Sequence, residues 1–147
     1  MSRVRESIDI DAPVARVFAF FDDVANARVL VPGLVEVVRV EEPAEEGRRR
    51  IEYTIRNRSG DVVPASSVLL EHDPPRRTVS RGVQSGIETT STREFVTNAQ
   101  GGTRVVTTVE WSVPVKLVAG IVTLPLRGPL RRSLRQSLAA AKSAIEG

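Results

Sequence analysis

The chain has 147 residues, of which 41% are hydrophobic and 27% charged, the balance of one globular domain rather than of a disordered segment. It contains no Cys and a single His, His72, which excludes disulfide frameworks, thiolate nucleophiles and Cys- or His-rich metal centres. The net charge is only +3, and the pI near 10.1 arises because nearly all the cations are Arg; so small an excess gives no ground for a nucleic-acid partner.

The opening residues Met1-Ser2-Arg3-Val4-Arg5-Glu6 lead straight into alternation, without an apolar run of signal-peptide length, so a cytoplasmic protein is expected. Val4, Ile8 and Ile10 fall on one face of a strand over residues 3–10, with Arg5, Ser7 and Asp9 on the other. Asp11 is placed to cap a helix that starts at Ala12-Pro13 and carries Val14, Val17, Phe18 and Phe21 at helical spacing. Asp22-Asp23 interrupts it, and Val24 to Val31 reads as a second short helix ended by Pro32-Gly33.

From Leu34 the pattern is that of strands: Leu34–Glu41, Arg48–Arg58, Val62–Glu71, Thr78–Val83, Glu88–Thr97 and Thr103–Val113. They are separated by turn chemistry at 42–47, Ser59-Gly60-Asp61, Asp73-Pro74-Pro75, Gln84-Ser85-Gly86 and 98–102. Short turns between consecutive strands predict an antiparallel meander. Leu130, Leu134, Leu138, Ala141 and Ile145 then form the apolar stripe of a long closing helix, and Pro125, Gly128 and Pro129 set the segment from Val115 to Arg127 apart as its own turn or bent lead-in. The longest apolar stretch, Leu117 to Leu126, is broken by Thr123 and Pro125 and is too short to cross about 30 Å of hydrocarbon. The prediction is one α+β domain over residues 1–147: a seven-stranded antiparallel sheet, two short helices and a long C-terminal helix.

Four segments carry a resemblance. Ile8-Asp9-Ile10-Asp11-Ala12-Pro13-Val14-Ala15-Arg16-Val17-Phe18, His72-Asp73-Pro74-Pro75-Arg76-Arg77, Gly101-Gly102-Thr103-Arg104-Val105 and Leu130 to Ile145 together resemble the START-related, SRPBCC or polyketide cyclase/dehydrase superfamily over essentially the whole chain. The resemblance implies a helix-grip fold, a curved sheet wrapped around the closing helix with a ligand-holding cavity between them. Such families include lipid and sterol carriers as well as aromatase/cyclases, so fold alone does not assign a reaction. It also implies that Leu117 to Leu126 lies near the cavity entrance, which adds Val118, Ile121 and Val122 to the expected lining.

Parity supplies the other candidates. Tyr53 and Ile55 share one face of their strand. Val105, Val109 and Trp111 share one face of theirs, where Trp111 is either cavity wall or plain core. Phe95 fixes the inward side of strand 88–97, and the same parity turns Arg93 inward. A buried guanidinium needs a carboxylate, phosphate or carbonyl partner, whereas a bulge would return it to water, the commoner fate of a strand Arg. Thr89, Thr90, Ser91 and Thr92 read more simply as strand formers than as a polar ligand patch. His72 reads as exposed beside a turn, and Asp22-Asp23 as helix punctuation rather than an acid/base pair.

No Gly-rich phosphate loop, nucleophilic triad order or metal-ligand spacing is present, so no cofactor or metal is expected and no residue is assigned a catalytic role. Arg127, Arg131 and Arg135 form a basic ridge that suits transient contact with a membrane surface or an acidic protein. The function expected is binding or carrying an apolar lipid, acyl or isoprenoid-like molecule, with a flexible chain preferred over planar fused rings because aromatic residues are only 4%. A cyclase-type enzyme and an interaction module using the basic helix are the alternatives.

Overall fold

The computed structural model describes residues 2–42, 48–112 and 126–147. Seven strands form one antiparallel sheet: β1 Ser2–Ile10, β2 Leu34–Glu41, β3 Arg50–Arg56, β4 Val62–Asp73, β5 Arg77–Gln84, β6 Ile87–Thr97 and β7 Thr103–Ser112. Between β1 and β2 lie α1 Val14–Asp22, a one-turn 3-10 segment Val24–Asn26 and the short α2 Ala27–Leu30; α3 Arg127–Glu146 follows the sheet. The spatial order β1-β7-β6-β5-β4-β3-β2 is the expected meander, with β1 closing it beside β7. The fold is α+β helix-grip.

The order follows from local chemistry. β5 and β6 are joined by Ser85-Gly86, both at positive φ (51° and 77°), the backbone of a two-residue hairpin whose twist matches the strands it joins. Gly102 is required for a different reason: a Cβ there would sit 2.6 Å from the Ile10 carbonyl oxygen, so the β6–β7 turn could not approach β1.

Three local expectations are corrected. Asp11 does not cap α1; Pro13 occupies the cap position without a side-chain hydrogen bond, while the Asp11 N–H donates to Glu146 Oε2 at 3.0 Å. Asp23, not Asp11, is the capping carboxylate, accepting from the Ala25 N–H at 2.9 Å. The expected single helix over 24–31 is split, because the 3-10 turn ends at Asn26, whose side chain reaches back to the Phe20 carbonyl. The lead-in expected over 115–127 lies mostly outside the described residues, though Arg127 already begins α3.

Burial separates two clusters under α3. At its C-terminal half, Leu138, Ala141 and Ile145 pack with Ile10, Val17, Phe18, Phe21, Phe95 and Val105. At its N-terminal half, Leu126, Leu130 and Leu134, themselves only partly buried, meet Val4, Val109 and Trp111. Val105, Val109 and Trp111 thus face the helix as parity predicts, and Arg104 is exposed. Val106 departs from the pattern, being buried although it lies on the outward side. The C-terminal half is also tied by hydrogen bonds: Arg16 donates to the Ile145 carbonyl, Lys142 to the Asp9 carbonyl, and Ser137 to the Leu30 carbonyl at 2.7 Å.

The basic ridge is drawn onto the sheet. Arg131 and Arg135 each place a nitrogen 3.2 Å from Glu6 Oε1, and Arg127 donates to the Arg3 carbonyl at 3.0 Å. Glu6 shares the inward parity of Val4 and Ile8, and its side chain is only 14% exposed. All three ridge arginines are therefore engaged within the fold. Among the described residues, no helix is long and apolar enough to cross a membrane.

Candidate ligand cavity

Phe95 joins the cluster under α3, but the rest of the concave face of β3–β6 lies beyond the packed clusters. It faces α1, the 3-10 turn and α2 across a cavity of about 180 Å³. The helical side contributes Phe18, Phe21, Val24, Leu30 and Val31; the sheet side contributes Leu34, Val37, Ile51, Tyr53, Leu69 and Phe95. Polar groups are few and placed apart, Ser67, Thr78, Ser80 and Arg93 on the sheet and Asp22, Asp23 and Arg49 toward α1. An apolar enclosure with a small number of convergent polar groups is the usual form of a small-molecule site.

Strand register explains which side chains converge. Tyr53 pairs with Ala65 and Ile51 with Ser67, Ser67 with Gly82, Thr78 with Arg93 and Ser80 with Ser91. Cross-strand partners share a face, so one inward residue determines the next across the sheet. A polar row results: Glu6 on β1 pairs with Thr107 on β7, Thr107 with Arg93 on β6, Arg93 with Thr78 on β5, and Thr78 with His72 on β4. Thr89 and Ser91 share the inward side of β6, while Thr90 and Thr92 point outward; neither inward residue lines the cavity.

Arg93 is the electrostatic centre of this row. Its Nε is shielded from solvent and has no hydrogen-bond partner, and the surface it retains faces the cavity. Its Cζ lies 4.7 Å from the centroid of the Phe21 ring, a cation–π contact that compensates desolvation only in part. Burial lowers its pKa to about 10, which still leaves it charged at neutral pH. The neighbouring Thr107 hydroxyl is likewise buried and unpartnered. Burial raises the pKa of the Tyr53 phenol, so it remains a neutral O–H.

A second polar group closes the cavity toward α1. Arg49 donates to the Asp22 carbonyl at 3.0 Å and to Asp22 Oδ1 at 3.2 Å, and His72 Nε2 lies 3.1 Å from the same Oδ1. Phe18 bridges inward from there, 5.7 Å from the His72 ring and 5.0 Å from Phe95. His72 is exposed beside the turn, as expected, and as the last-but-one residue of β4 it is also bonded to a carboxylate. Asp22 joins α1 to β4 and to the residue that precedes β3, beyond the punctuation expected of it.

Of the residues expected at the site, the structure gathers Tyr53, Arg93 and Phe95 around the cavity. Val109 and Trp111 lie elsewhere, under the leucines of α3, because the N-terminal half of that helix covers their part of the sheet. Ile55 is buried but is not on the cavity wall. Val118, Ile121 and Val122 lie outside the described residues. Sequence reasoning assigned no cavity role to Phe18, Phe21, Ile51, Thr78 or Ser80. Carrying the Arg93 and Tyr53 parities across the hairpins would have found the three strand residues. Phe18 and Phe21 were legible as an apolar helix face but not as one side of a space.

The whole-chain architecture has many counterparts. A protein from Thermus thermophilus, TTHA0849, superposes with a TM-score of 0.76 at 20% identity, covering 98% of this chain and 97% of its own. The Zhui aromatase/cyclase from Streptomyces sp. R1128 gives 0.73 at 19% identity, covering 99% and 94%. The di-domain ARO/CYC StfQ from the steffimycin biosynthetic pathway gives 0.76 at 17% identity, covering 98% of this chain and 50% of that one. At such identities these likenesses establish the fold alone. A comparison with curated proteins finds no match. The family model described as polyketide cyclase / dehydrase and lipid transport matches residues 1–146, and the chain belongs to that family.

Proposed function

We propose that this protein binds and carries a small apolar molecule, with a flexible aliphatic, acyl or isoprenoid-like chain enclosed between the sheet and α1–α2. The observation that carries the reading is the cavity, a space of about 180 Å³ with predominantly apolar walls on both sides. Both walls carry Leu, Ile or Val surface, Val24, Leu30 and Val31 from the helices and Leu34, Val37, Ile51 and Leu69 from the sheet, along which a slender chain can lie. Four of the six aromatic residues of the chain, Phe18, Phe21, Tyr53 and Phe95, line this cavity. The low aromatic content therefore does not make its walls purely aliphatic. The preference rests on the remaining Leu, Ile and Val surface.

Native mass spectrometry of freshly purified protein, followed by calorimetric titration with octanoic acid and with a planar polyphenol, tests the reading. Tighter binding of the polyphenol would reject the chain preference. The cyclase-type alternative has one observation in its favour, the 3.1 Å contact of His72 with Asp22, a cavity-lining residue, since a carboxylate-bound imidazole is a competent proton acceptor. Conversion of a bound β-ketoacyl ester in wild type and its loss in His72→Gln would favour that alternative over simple carriage.

A further inference from the structure

Resting on that reading of the cavity, we propose that the bound molecule is a carboxylic acid, whose carboxylate pairs with Arg93 and accepts a hydrogen bond from the neighbouring Thr78 hydroxyl. A guanidinium removed from water requires a counter-charge or a full set of acceptors. Among the described residues Arg93 has neither: its Nε is buried without a partner, and the Phe21 ring is the one group found to offset its charge. The nearest carboxylate along the row, Glu6, stands two strands away and is already held by Arg131 and Arg135. The other members beside it, Thr78 and Thr107, are neutral.

The chemical class follows from this count. The other charged groups of the cavity, Asp22, Asp23 and Arg49, stand toward α1, where Arg49 and Asp22 are paired; on the sheet, one guanidinium beside neutral hydroxyls matches the single negative charge and two oxygens of a carboxylate, whereas a phosphate monoester would bring close to two charges and a third oxygen. Thr78 and Ser80 line the cavity next to Arg93, and either hydroxyl can donate to the carboxylate oxygen that the guanidinium leaves free. The tail then lies along Ile51, Leu69 and Leu30 toward α2. A neutral alcohol or ester would satisfy a hydrogen bond but leave the charge uncompensated.

Calorimetric titration of the full chain at neutral pH with octanoic acid, octanol and octyl phosphate, in wild type, Arg93→Met and Arg93→Lys, tests the assignment. Wild type should bind octanoate at least tenfold tighter than octanol and tighter than octyl phosphate. Arg93→Met should abolish the preference for the acid over octanol, and Arg93→Lys should restore part of it. Equal affinity for acid and alcohol in wild type, a preference that persists in Arg93→Met, or a stronger response to octyl phosphate would each overturn the assignment. Binding of neither octanoate nor octanol would instead overturn the cavity reading on which it stands.

Discussion

The two halves of the sheet are built to different specifications. On β7, the inward residues Thr103, Val105, Thr107, Val109 and Trp111 are all buried, and beside them β1 contributes Val4 and Ile10 at 1% exposure. Across β3, β4 and β5 the inward residues are mostly half-buried, and among the described residues every large hydrophobic side chain that is clearly exposed, apart from Val96, belongs to β2, β4 or β5. The difference is what each half faces. The first has α3 pressed against it and behaves as a close-packed core; the second faces α1 and α2 across a space. A single curved sheet thus acts as foundation at one end and as wall at the other, and the wall holds the unpaired guanidinium of Arg93.

The largest expected effect sets one half against the other. Leu138→Ala, deep in the packed end, should lose about 2–5 kcal/mol because a cavity opens where none existed. Ile51→Ala should lose about 1 kcal/mol, since its side chain already borders empty volume and little further packing is forfeited. Urea denaturation of both variants measures the contrast, and similar losses would erase the distinction between core and wall. A smaller effect of opposite sign is expected at the wall's centre. Arg93→Met should stabilise the ligand-free protein by about 1–2 kcal/mol, because an uncompensated buried charge is replaced by an apolar chain of similar reach, less the lost contact with Phe21. A lower midpoint than wild type would show that Arg93 is compensated within the fold.

The same division explains what could be read from the sequence. β7 was legible because a strand packed by a helix must keep its apolar residues on one side, and Val105, Val109 and Trp111 do so. The wall strands were legible as strands, but their inward Ser67, Thr78 and Ser80 carried no apolar signal, because a cavity face need not be apolar at each position. Arg93 was singled out by parity, yet ordinary strand chemistry argued for its return to water, and only the three-dimensional enclosure shows its inward course. Glu6 falls on the apolar side of the β1 alternation, where the sequence offers it no partner. Its reason is Arg131 and Arg135, more than a hundred residues away, and no local pattern announces such a pair. Asp22 and His72 are separated by 50 positions and were invisible as a pair for the same reason.

The smallest expected effect belongs to the packed end and concerns acid. Glu146 accepts hydrogen bonds from the Asp11 N–H and from Lys142, and these hold its pKa below the ordinary value of 4.5. Asp9, held chiefly by hydrogen bonds from Arg104 and then from Asn98, likewise lies below 3.8. A carboxylate whose pKa is lower in the folded than in the unfolded chain contributes stability that is complete above the unfolded value and disappears as pH falls through the folded one. The clamp between α3, β1 and the start of α1 should therefore hold undiminished from neutral pH to about 5 and weaken below 4.5, the ordinary value for Glu146. Both groups are exposed, so the contribution is modest and screened by salt. Melting temperatures of wild type, Glu146→Gln and Asp9→Asn, followed from pH 7 to pH 3 in low salt, should show wild type above both variants at neutral pH and converging with them in acid. Curves that stay parallel throughout would mean that these carboxylates do not fasten the packed end, and that its resistance comes from Ile10, Val17, Leu138 and Ala141 alone.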